Sequence, residues 1–211
     1  MTLIQEKVAQ LRPLSVLDIG VGYGKWGFLL REQLDWNPGR LDQSAWRARI
    51  VGVEVHPYES PLHEWVYDKI VWADILDIAD SCAGYDLVLL SDVIEHIEKE
   101  AGQHLLDRLV AANRNVIVST PLTFFTQEIA DNEHEHHVSH WTLADFRRFT
   151  FDYDTAGAAA MVITLAGRDA VWPTERDSRI SRFIYRLPVI GHHSAASRAL
   201  KQVIVRGRRR G

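Results

Sequence analysis

Two short polar segments contain the residues whose types and spacing could do chemistry. Asp92, Glu95 and His96 occupy positions i, i+3 and i+4. If this segment forms a helical turn, the three side chains share one face. Two carboxylates and an imidazole on one face can bind a metal ion, and they can equally form a metal-free acid–base site.

The second segment, residues 132–141, contains four of the ten histidines in the chain. It lies within a polar stretch that follows Pro121 and extends to His140. A loop of that length in a compact domain is usually functional. The four histidines are therefore candidates for a role where an acceptor would enter.

A glycine-rich turn follows the first apolar run of the sequence. Residues 16–24, VLDIGVGYG, predict a strand, a tight turn and the start of a helix. Glycines are needed where backbone approaches a ligand closely, but dinucleotide-binding turns have wider final spacing for a pyrophosphate. The carboxylate of Asp18 suits an ammonium group rather than a phosphate. The turn residues expected to contact a ligand are Gly20, Gly22, Tyr23 and Gly24.

Acidic residues also end the next predicted strands. Glu54 follows the turn by about 30 residues and can accept hydrogen bonds from both hydroxyls of a ribose. Asp74 can accept from an adenine amino group, and Ile75 can pack on the ring. The fourth strand ends at Ser91 and Asp92.

In this order and spacing the motifs resemble the class I S-adenosylmethionine-dependent methyltransferases over residues 14–165. The resemblance implies S-adenosyl-L-methionine as the cofactor, with its methionine part held by Asp18 and the glycine turn. Glu54 would hold the ribose, and Asp74 with Ile75 the adenine. We expect Asp92 to be a further cofactor contact.

The catalytic half resembles the small-RNA 3′-terminal 2′-O-methyltransferases. The similarity rests on Asp92-x-x-Glu95-His96, on residues 118–121 and on His137-x-x-x-Trp141 with its continuation to Phe146. In that family two Glu and two His bind a divalent metal that chelates a terminal vicinal diol. The resemblance implies a Mg²⁺ or Mn²⁺ ion whose ligands here are Asp92, Glu95, His96 and His137.

Asp92 departs from that family, because its side chain is one methylene shorter than the Glu found there. We expect it to bind the metal directly or through water. The acceptor hydroxyl would lose its proton to His137 or His140 where these are not ligands, or to His96 in a metal-free site. Glu95, His96, His137 and His140 are thus the candidate catalytic residues.

The favoured function is O-methylation of a sugar hydroxyl in a saccharide or a glycosylated metabolite. The Arg- and Ala-rich composition suggests an actinobacterial source and, with it, a methylated mycobacterial polysaccharide. Residues 1–175 carry a net charge of −13, and no RNA-binding domain is evident, so nucleic acid is not the expected acceptor. The alternatives are a metal-independent enzyme on a small molecule such as a quinone, an RNA 2′-O-methyltransferase with the basic tail as a clamp, and a non-catalytic cofactor-binding scaffold.

The elements that position these residues alternate between short apolar strands and helices. This alternation predicts an α/β fold with a doubly wound, mostly parallel sheet. The resemblance implies seven strands and the Rossmann-like methyltransferase fold. The predicted strands are 16–19, 50–55, 70–73, 86–90, 115–119, 151–154 and 161–165. The predicted helices are 25–34, 58–66, 75–82, 98–113 and 142–149.

The sequence divides into a methyltransferase domain, residues 1–173, and a basic helical tail, residues 174–211. Residues 176–211 carry a net charge of +9. The single cysteine, Cys82, cannot form an internal disulfide, and the sequence has no signal peptide or transmembrane segment, so a cytoplasmic location is expected. We expect a small-molecule or saccharide acceptor, and a homodimer is compatible with the sequence.

Overall fold

Seven β-strands make up one mixed sheet in a computed structural model that describes residues 2–123, 125, 132–156 and 159–170. The strands are β1 (Ser15–Ile19), β2 (Arg49–Glu54), β3 (Lys69–Trp72), β4 (Leu87–Ser91), β5 (Asn115–Pro121), β6 (Phe151–Ala156) and β7 (Ala160–Ala166). Their order is β3-β2-β1-β4-β5-β7-β6, with β1 to β5 parallel and β7 antiparallel to both its neighbours. The predicted doubly wound, mostly parallel sheet is confirmed.

Short helices connect the strands. The α-helices are α1 (Leu3–Leu11), α2 (Lys25–Arg31), α3 (Pro61–Val66), α4 (Ile75–Ile78) and α5 (Lys99–Ala112). A π-helix, Glu32–Trp36, continues α2, and single 3₁₀ turns lie at Gln43–Ala45, Ala79–Ser81, Ile94–His96, Glu133–Glu135 and Leu143–Phe146.

Capping residues set where several helices begin. The sequence predicts a helix from Tyr58, but α3 begins at Pro61, because the Ser60 hydroxyl caps it and proline is favoured at the first helical position. The predicted helix 142–149 is a 3₁₀ turn that ends at Phe146. Its start is as expected, since the Asp145 carboxylate accepts the Thr142 backbone N–H at 2.7 Å.

The chain reverses direction across the sheet between β1 and β4. From β1 it proceeds outward to β2 and β3, and it then returns to the other side of β1 to form β4. Ile19 is opposite Val53 on one side and Leu90 on the other. The residues that follow these three positions therefore meet at the carboxyl edge of the sheet, where doubly wound folds bind ligands.

A buried ion-pair network attaches the insertion between α2 and β2 to the domain. The Arg31 guanidinium is fully buried and donates to Asp35 at 2.7 Å, to the Ala48 carbonyl at 2.7 Å and to the Val66 carbonyl at 3.0 Å. Asp35 is also fully buried and accepts the Arg47 backbone N–H at 2.8 Å. Arg31 thus joins α2, the insertion and α3.

Two parts of the sequence-based prediction remain untested by the structure. The basic tail, residues 174–211, and residues 124 and 126–131 of the long polar loop lie outside the described residues. The division at residue 173 therefore stays a prediction. Among the residues that the structure describes, no helix is both long and apolar enough to cross a lipid bilayer.

We expect Arg31→Met to lower the free energy of unfolding by about 3 kcal/mol, because it removes the guanidinium that compensates the buried Asp35 carboxylate. Urea-induced unfolding measures this change. The matched control is Arg168→Met, whose ion pair with Asp169 spans 3.8 Å and is about four-fifths exposed; its effect should stay below about 0.5 kcal/mol. Equal effects of the two substitutions would contradict the role of Arg31.

Candidate functional site

A cavity of about 430 Å³ opens at the carboxyl edge of β1 to β4, a size typical of small-ligand sites. Its walls come from both sides of the chain reversal and from the segment 132–138. Seven of the predicted site residues line it: Gly20, Gly22, Glu54, Asp74, Ile75, Asp92 and His96.

Charge in the cavity wall is of one sign. Among the described residues that line the cavity there is no Lys or Arg. Five carboxylates line it instead: Glu54, Asp74, Asp92, Glu98 and Glu135. Such a wall attracts a cationic ligand and repels phosphate groups.

The glycine turn forms one wall of the cavity. Gly22 has a φ of +51°, and a Cβ built on it would meet no heavy atom within 4 Å, because that position faces open space. Gly20 has a φ of +80°, and its Cβ would lie only 2.4 Å from the Val93 side chain. Gly20 is therefore required by packing, whereas Gly22 leaves space that a ligand can fill.

Glu54 ties the glycine turn to the end of β2. One carboxylate oxygen accepts the Gly22 backbone N–H at 2.8 Å, and the other accepts the His56 backbone N–H at 2.9 Å. The side chain is almost fully buried. Each oxygen retains a second lone pair, so the carboxylate is held rigidly and can still accept hydrogen bonds from a ligand.

Asp18 lies beneath the turn rather than in the cavity wall. Its side chain is fully buried, and one oxygen accepts a 2.5 Å hydrogen bond from the Tyr67 hydroxyl. The other oxygen has no hydrogen-bond partner among the described residues. Burial raises the pKa of the Asp18 carboxyl to about 7, the Tyr67 hydrogen bond opposes this rise, and the charge of Glu54 adds to it.

Tyr23 and Gly24 also lie outside the cavity wall, and their contact with a ligand stays a prediction. Tyr23 projects outward, is 67% exposed and lies against the Tyr58 ring at a centroid distance of 5.0 Å. Gly24 is the buried N-cap of α2, where a Cβ would come within 3.1 Å of Leu62. It provides space for α3 rather than for a ligand.

Asp74 and Ile75 line the cavity at the end of β3, where the sequence predicted them. The Asp74 carboxylate caps α4 by accepting the Leu76 backbone N–H at 2.8 Å. Ile75 is buried and presents an apolar surface at this end of the cavity.

Asp92 occupies a strained backbone position at the tip of β4. Its φ is +56°, which is rare for a residue with a Cβ and common at functional sites. The Ser119 hydroxyl donates to its carboxylate at 3.1 Å, and its backbone N–H donates to the Ser119 carbonyl at 3.0 Å. Ser119 of β5 belongs to the motif 118–121 but was not named as a site residue. It lies beside Asp92 because β4 pairs with β5, where Ser91 is opposite Ser119.

Glu95, His96 and His137 come together from segments 40 residues apart. One potential ligand atom from each lies within 4.8 Å of the other two. Asp92 is not part of this group, although its charge acts on both Glu95 and His96. The predicted helical turn through Asp92 is not formed, because Asp92 has a positive φ and the 3₁₀ turn begins only at Ile94.

The three groups differ in burial and in hydrogen bonding. Both Glu95 oxygens are buried with no hydrogen-bond partner of good geometry among the described residues, and burial raises the pKa of this carboxyl to about 7. The Nδ1 atoms of His96 and His137 each face a backbone carbonyl, at 3.1 Å and 3.0 Å. If Nδ1 donates there, Nε2 carries the lone pair in both rings. Burial lowers the pKa of His96 and favours its neutral form.

Backbone hydrogen bonds attach residues 132–141, the histidine segment, to the 3₁₀ turn Ile94–His96. The N–H groups of Val138 and Ser139 both donate to the Glu95 carbonyl, at 2.9 Å and 3.0 Å. The buried Trp141 indole donates to the Ile94 carbonyl at 3.0 Å. Trp141 is thus an anchor of this segment, and Gly102 of α5 admits it, since a Cβ there would lie 2.7 Å from the indole.

The same segment reaches across the cavity to the loop after β2. The Tyr58 hydroxyl donates to Glu135 at 2.6 Å and accepts from the Asn132 amide at 2.9 Å. The sequence placed Tyr58 at the start of a helix and gave no sign of this contact. His140 is exposed and lies outside the group of Glu95, His96 and His137, with Nε2 at 3.4 Å from the Leu122 carbonyl.

Solved structures with a similar fold include methyltransferases. An O-methyltransferase from Nostoc punctiforme is 20% identical, with a TM-score of 0.54, over 78% of this chain and 54% of its own. The structure of the N-terminal domain of EvdMO1 was determined in the presence of S-adenosylhomocysteine and D-fucose. It is 13% identical, with a TM-score of 0.53, over 78% of this chain and 82% of the EvdMO1 domain. The methyltransferase domain of bacterial CtHen1-C is 16% identical, with a TM-score of 0.53, over 77% and 94%.

This chain spans about half the length of the Nostoc protein. No protein-family model matches its sequence, and no curated protein matches it either. The likeness in structure establishes the fold, which is that of the class I S-adenosylmethionine-dependent methyltransferases.

The raised pKa of Asp18 makes stability depend on pH. Between the ordinary value of 3.8 and the folded value of about 7, the folded protein retains a proton that the unfolded chain releases. The free energy of unfolding therefore falls as pH rises through this window. Between pH 5 and pH 8, the free energy of unfolding of the native protein should fall by about 3 kcal/mol more than that of Asp18→Asn.

Urea unfolding of both proteins with EDTA present measures this difference. The exposed Asp107→Asn variant is the control, and its pH dependence should match that of the native protein. If Asp18→Asn also follows the native pH dependence, the buried carboxyl does not retain its proton.

Proposed function

We propose that the protein is an S-adenosylmethionine-dependent O-methyltransferase that methylates a sugar hydroxyl with the help of a divalent cation. The observation that carries the proposal is the charge of the cavity, whose described lining has five carboxylates and no Lys or Arg. A sulfonium with an amino-acid ammonium suits that wall, whereas the pyrophosphate of a dinucleotide does not.

The residues at the carboxyl edge fit this cofactor. The open space at Gly22 accommodates a close approach of the ligand to the backbone. The Glu54 carboxylate, fixed by two backbone N–H groups, would accept from the ribose hydroxyls. Asp74 and Ile75 would hold the adenine. The bound cofactor supplies an electrophilic methyl group on a sulfonium, which is a good leaving group.

Glu95, His96 and His137 fit a divalent cation. The buried Glu95 carboxylate has no hydrogen-bond partner of good geometry among the described residues. With two imidazoles that backbone carbonyls orient, it forms a mixed N/O donor set. Mn²⁺ is at least as well suited to such a set as Mg²⁺, which prefers oxygen ligands. A bound cation would lower the pKa of the acceptor hydroxyl. Asp92 would contribute through water or to the cofactor, since it lies outside the group.

A metal-free site is the second candidate. His96 supports it, because its Nδ1 faces the His136 carbonyl and its lowered pKa keeps Nε2 unprotonated near neutral pH. Nε2 of His96 could then accept the hydroxyl proton directly. His137 is the next candidate base, while His140 is directed elsewhere by its position near the Leu122 carbonyl.

A sugar acceptor is supported by three observations. Phe125 is 50% exposed and lies 4.6 Å from the His137 ring, where it offers an apolar face to a saccharide. The structure of EvdMO1 was determined with D-fucose present. The acidic cavity wall disfavours RNA. A saccharide with vicinal hydroxyls is therefore the proposed acceptor class, and the methylated mycobacterial polysaccharide suggested by composition belongs to it.

Cofactor binding is tested with Gly22→Ala. We expect at least a tenfold loss of affinity for S-adenosylhomocysteine in calorimetry, because the added Cβ enters the cavity. The matched control is Gly39→Ala, since Gly39 also has a positive φ and open space but lies in the insertion. The control should bind normally. Equally tight binding of NAD to the native protein would contradict the proposed cofactor.

Metal dependence is tested by chelation. EDTA should abolish transfer of a labelled methyl group to a saccharide while leaving S-adenosylhomocysteine binding unchanged, and Mn²⁺ should restore transfer. His137→Ala should lose measurable Mn²⁺ binding, whereas His134→Ala, which changes an exposed histidine outside the group, should retain it. A rate that EDTA leaves unchanged favours the metal-free site with His96 as the base.

A further inference from the structure

Three side chains on or next to α3 form hydrogen bonds with the glycine turn or with Asp18 beneath it. The Ser60 hydroxyl donates to the Tyr23 carbonyl at 2.9 Å. His63 Nε2 lies 2.7 Å from the Gly22 carbonyl, and because a carbonyl only accepts, the ring must donate there. Tyr67 donates to Asp18 at 2.5 Å. Their spacing of three and four residues directs all three toward the same side.

Tyr67 also connects β1 to α2. Its hydroxyl accepts the Gly27 backbone N–H at 3.0 Å while donating to Asp18. This contact is close, because a Cβ on Gly27 would lie 2.3 Å from the Tyr67 ring. The hydrogen-bond chain from α2 through Tyr67 to β1 thus spans the base of the turn, and both Tyr67 and His63 are almost fully buried.

Ordering the backbone of the glycine turn costs conformational entropy. Gly20, Gly22 and Gly24 all have positive φ, and glycine has the largest conformational freedom to lose. The bond from His63 fixes the carbonyl of Gly22, while Glu54 fixes the N–H of the same residue. Gly22 is therefore held on both sides of its Cα at the point where it faces the cavity.

We infer that α3 is the positioning element for the amino-acid part of the cofactor, with His63 and Tyr67 as positioning residues that act through the turn. The inference rests on the proposed function, in which the glycine turn receives the methionine part. Neither residue lines the cavity, so their effect on binding is indirect. Asp18 accordingly acts beneath the turn together with Tyr67.

The test compares two ligands that differ only in the amino-acid part. Affinities for S-adenosylhomocysteine and for 5′-methylthioadenosine, which lacks the amino acid, are measured by calorimetry for the native protein, His63→Leu and Tyr67→Phe. Loss of one positioning hydrogen bond should weaken S-adenosylhomocysteine binding about five- to tenfold. Binding of 5′-methylthioadenosine should change less than twofold.

Two further variants separate positioning from general destabilisation. His63→Gln keeps a donor N–H near the Gly22 carbonyl and should restore S-adenosylhomocysteine affinity to within about threefold of native. Glu64→Gln, on the exposed side of α3, should change neither affinity. Circular dichroism establishes that each variant is folded. If one of His63→Leu and Tyr67→Phe does not fold, the other is sufficient for the comparison.

Two results would overturn the inference. Equal loss of both affinities means that α3 only stabilises the fold, and unchanged affinity for S-adenosylhomocysteine means that the turn needs no support. Both results presuppose that the native protein binds S-adenosylhomocysteine. If the native protein binds neither ligand, the proposed function fails first and the inference fails with it.

Discussion

The site depends on one constraint, the parallel pairing of β1 with both β2 and β4. Because the chain leaves β1 on one side and returns on the other, no connecting segment crosses the carboxyl end of β1. A crevice must therefore form there. The register places Ile19 between Val53 and Leu90, so that the glycine turn, Glu54 and Ser91 all begin at one level. Any shift of that register would separate the turn from the carboxylate that holds it.

The two halves of the cavity are held by different kinds of interaction. The side formed by the glycine turn is rigid because side chains of β2 and α3 hold the backbone of the turn, through Glu54 and His63. The other side is held by the backbone, since two N–H groups of the histidine segment converge on the Glu95 carbonyl. Those bonds bring His137 beside Glu95 and His96. The Tyr58 hydroxyl then joins both sides over the cavity through Glu135.

Local residue patterns were sufficient to predict the architecture. Apolar runs of strand length alternating with helices predicted a doubly wound sheet, because each pattern is set by near neighbours in sequence. The methyltransferase resemblance added the two edge strands, and the order of the strands is known only from the structure. The same holds for the residues at strand ends, Gly22, Glu54 and Asp74, since parallel strands bring their carboxyl ends to one edge. The pairing of His137 with Glu95 and His96 was expected only from family resemblance, because 40 residues separate them.

Tertiary structure decided what each polar group does. The sequence placed Asp18 and Gly24 against a ligand, but packing of α3 buries Asp18 under Tyr67 and uses the space at Gly24 for Leu62. The sequence also predicted one helical turn through Asp92 and Glu95, whereas Asp92 has a positive φ and the turn begins only at Ile94. The sequence thus determined the fold and the residues at the sheet edge, because both follow from local periodicity. Burial and hydrogen-bond partners arise from contacts between distant segments, and only the folded chain determines them.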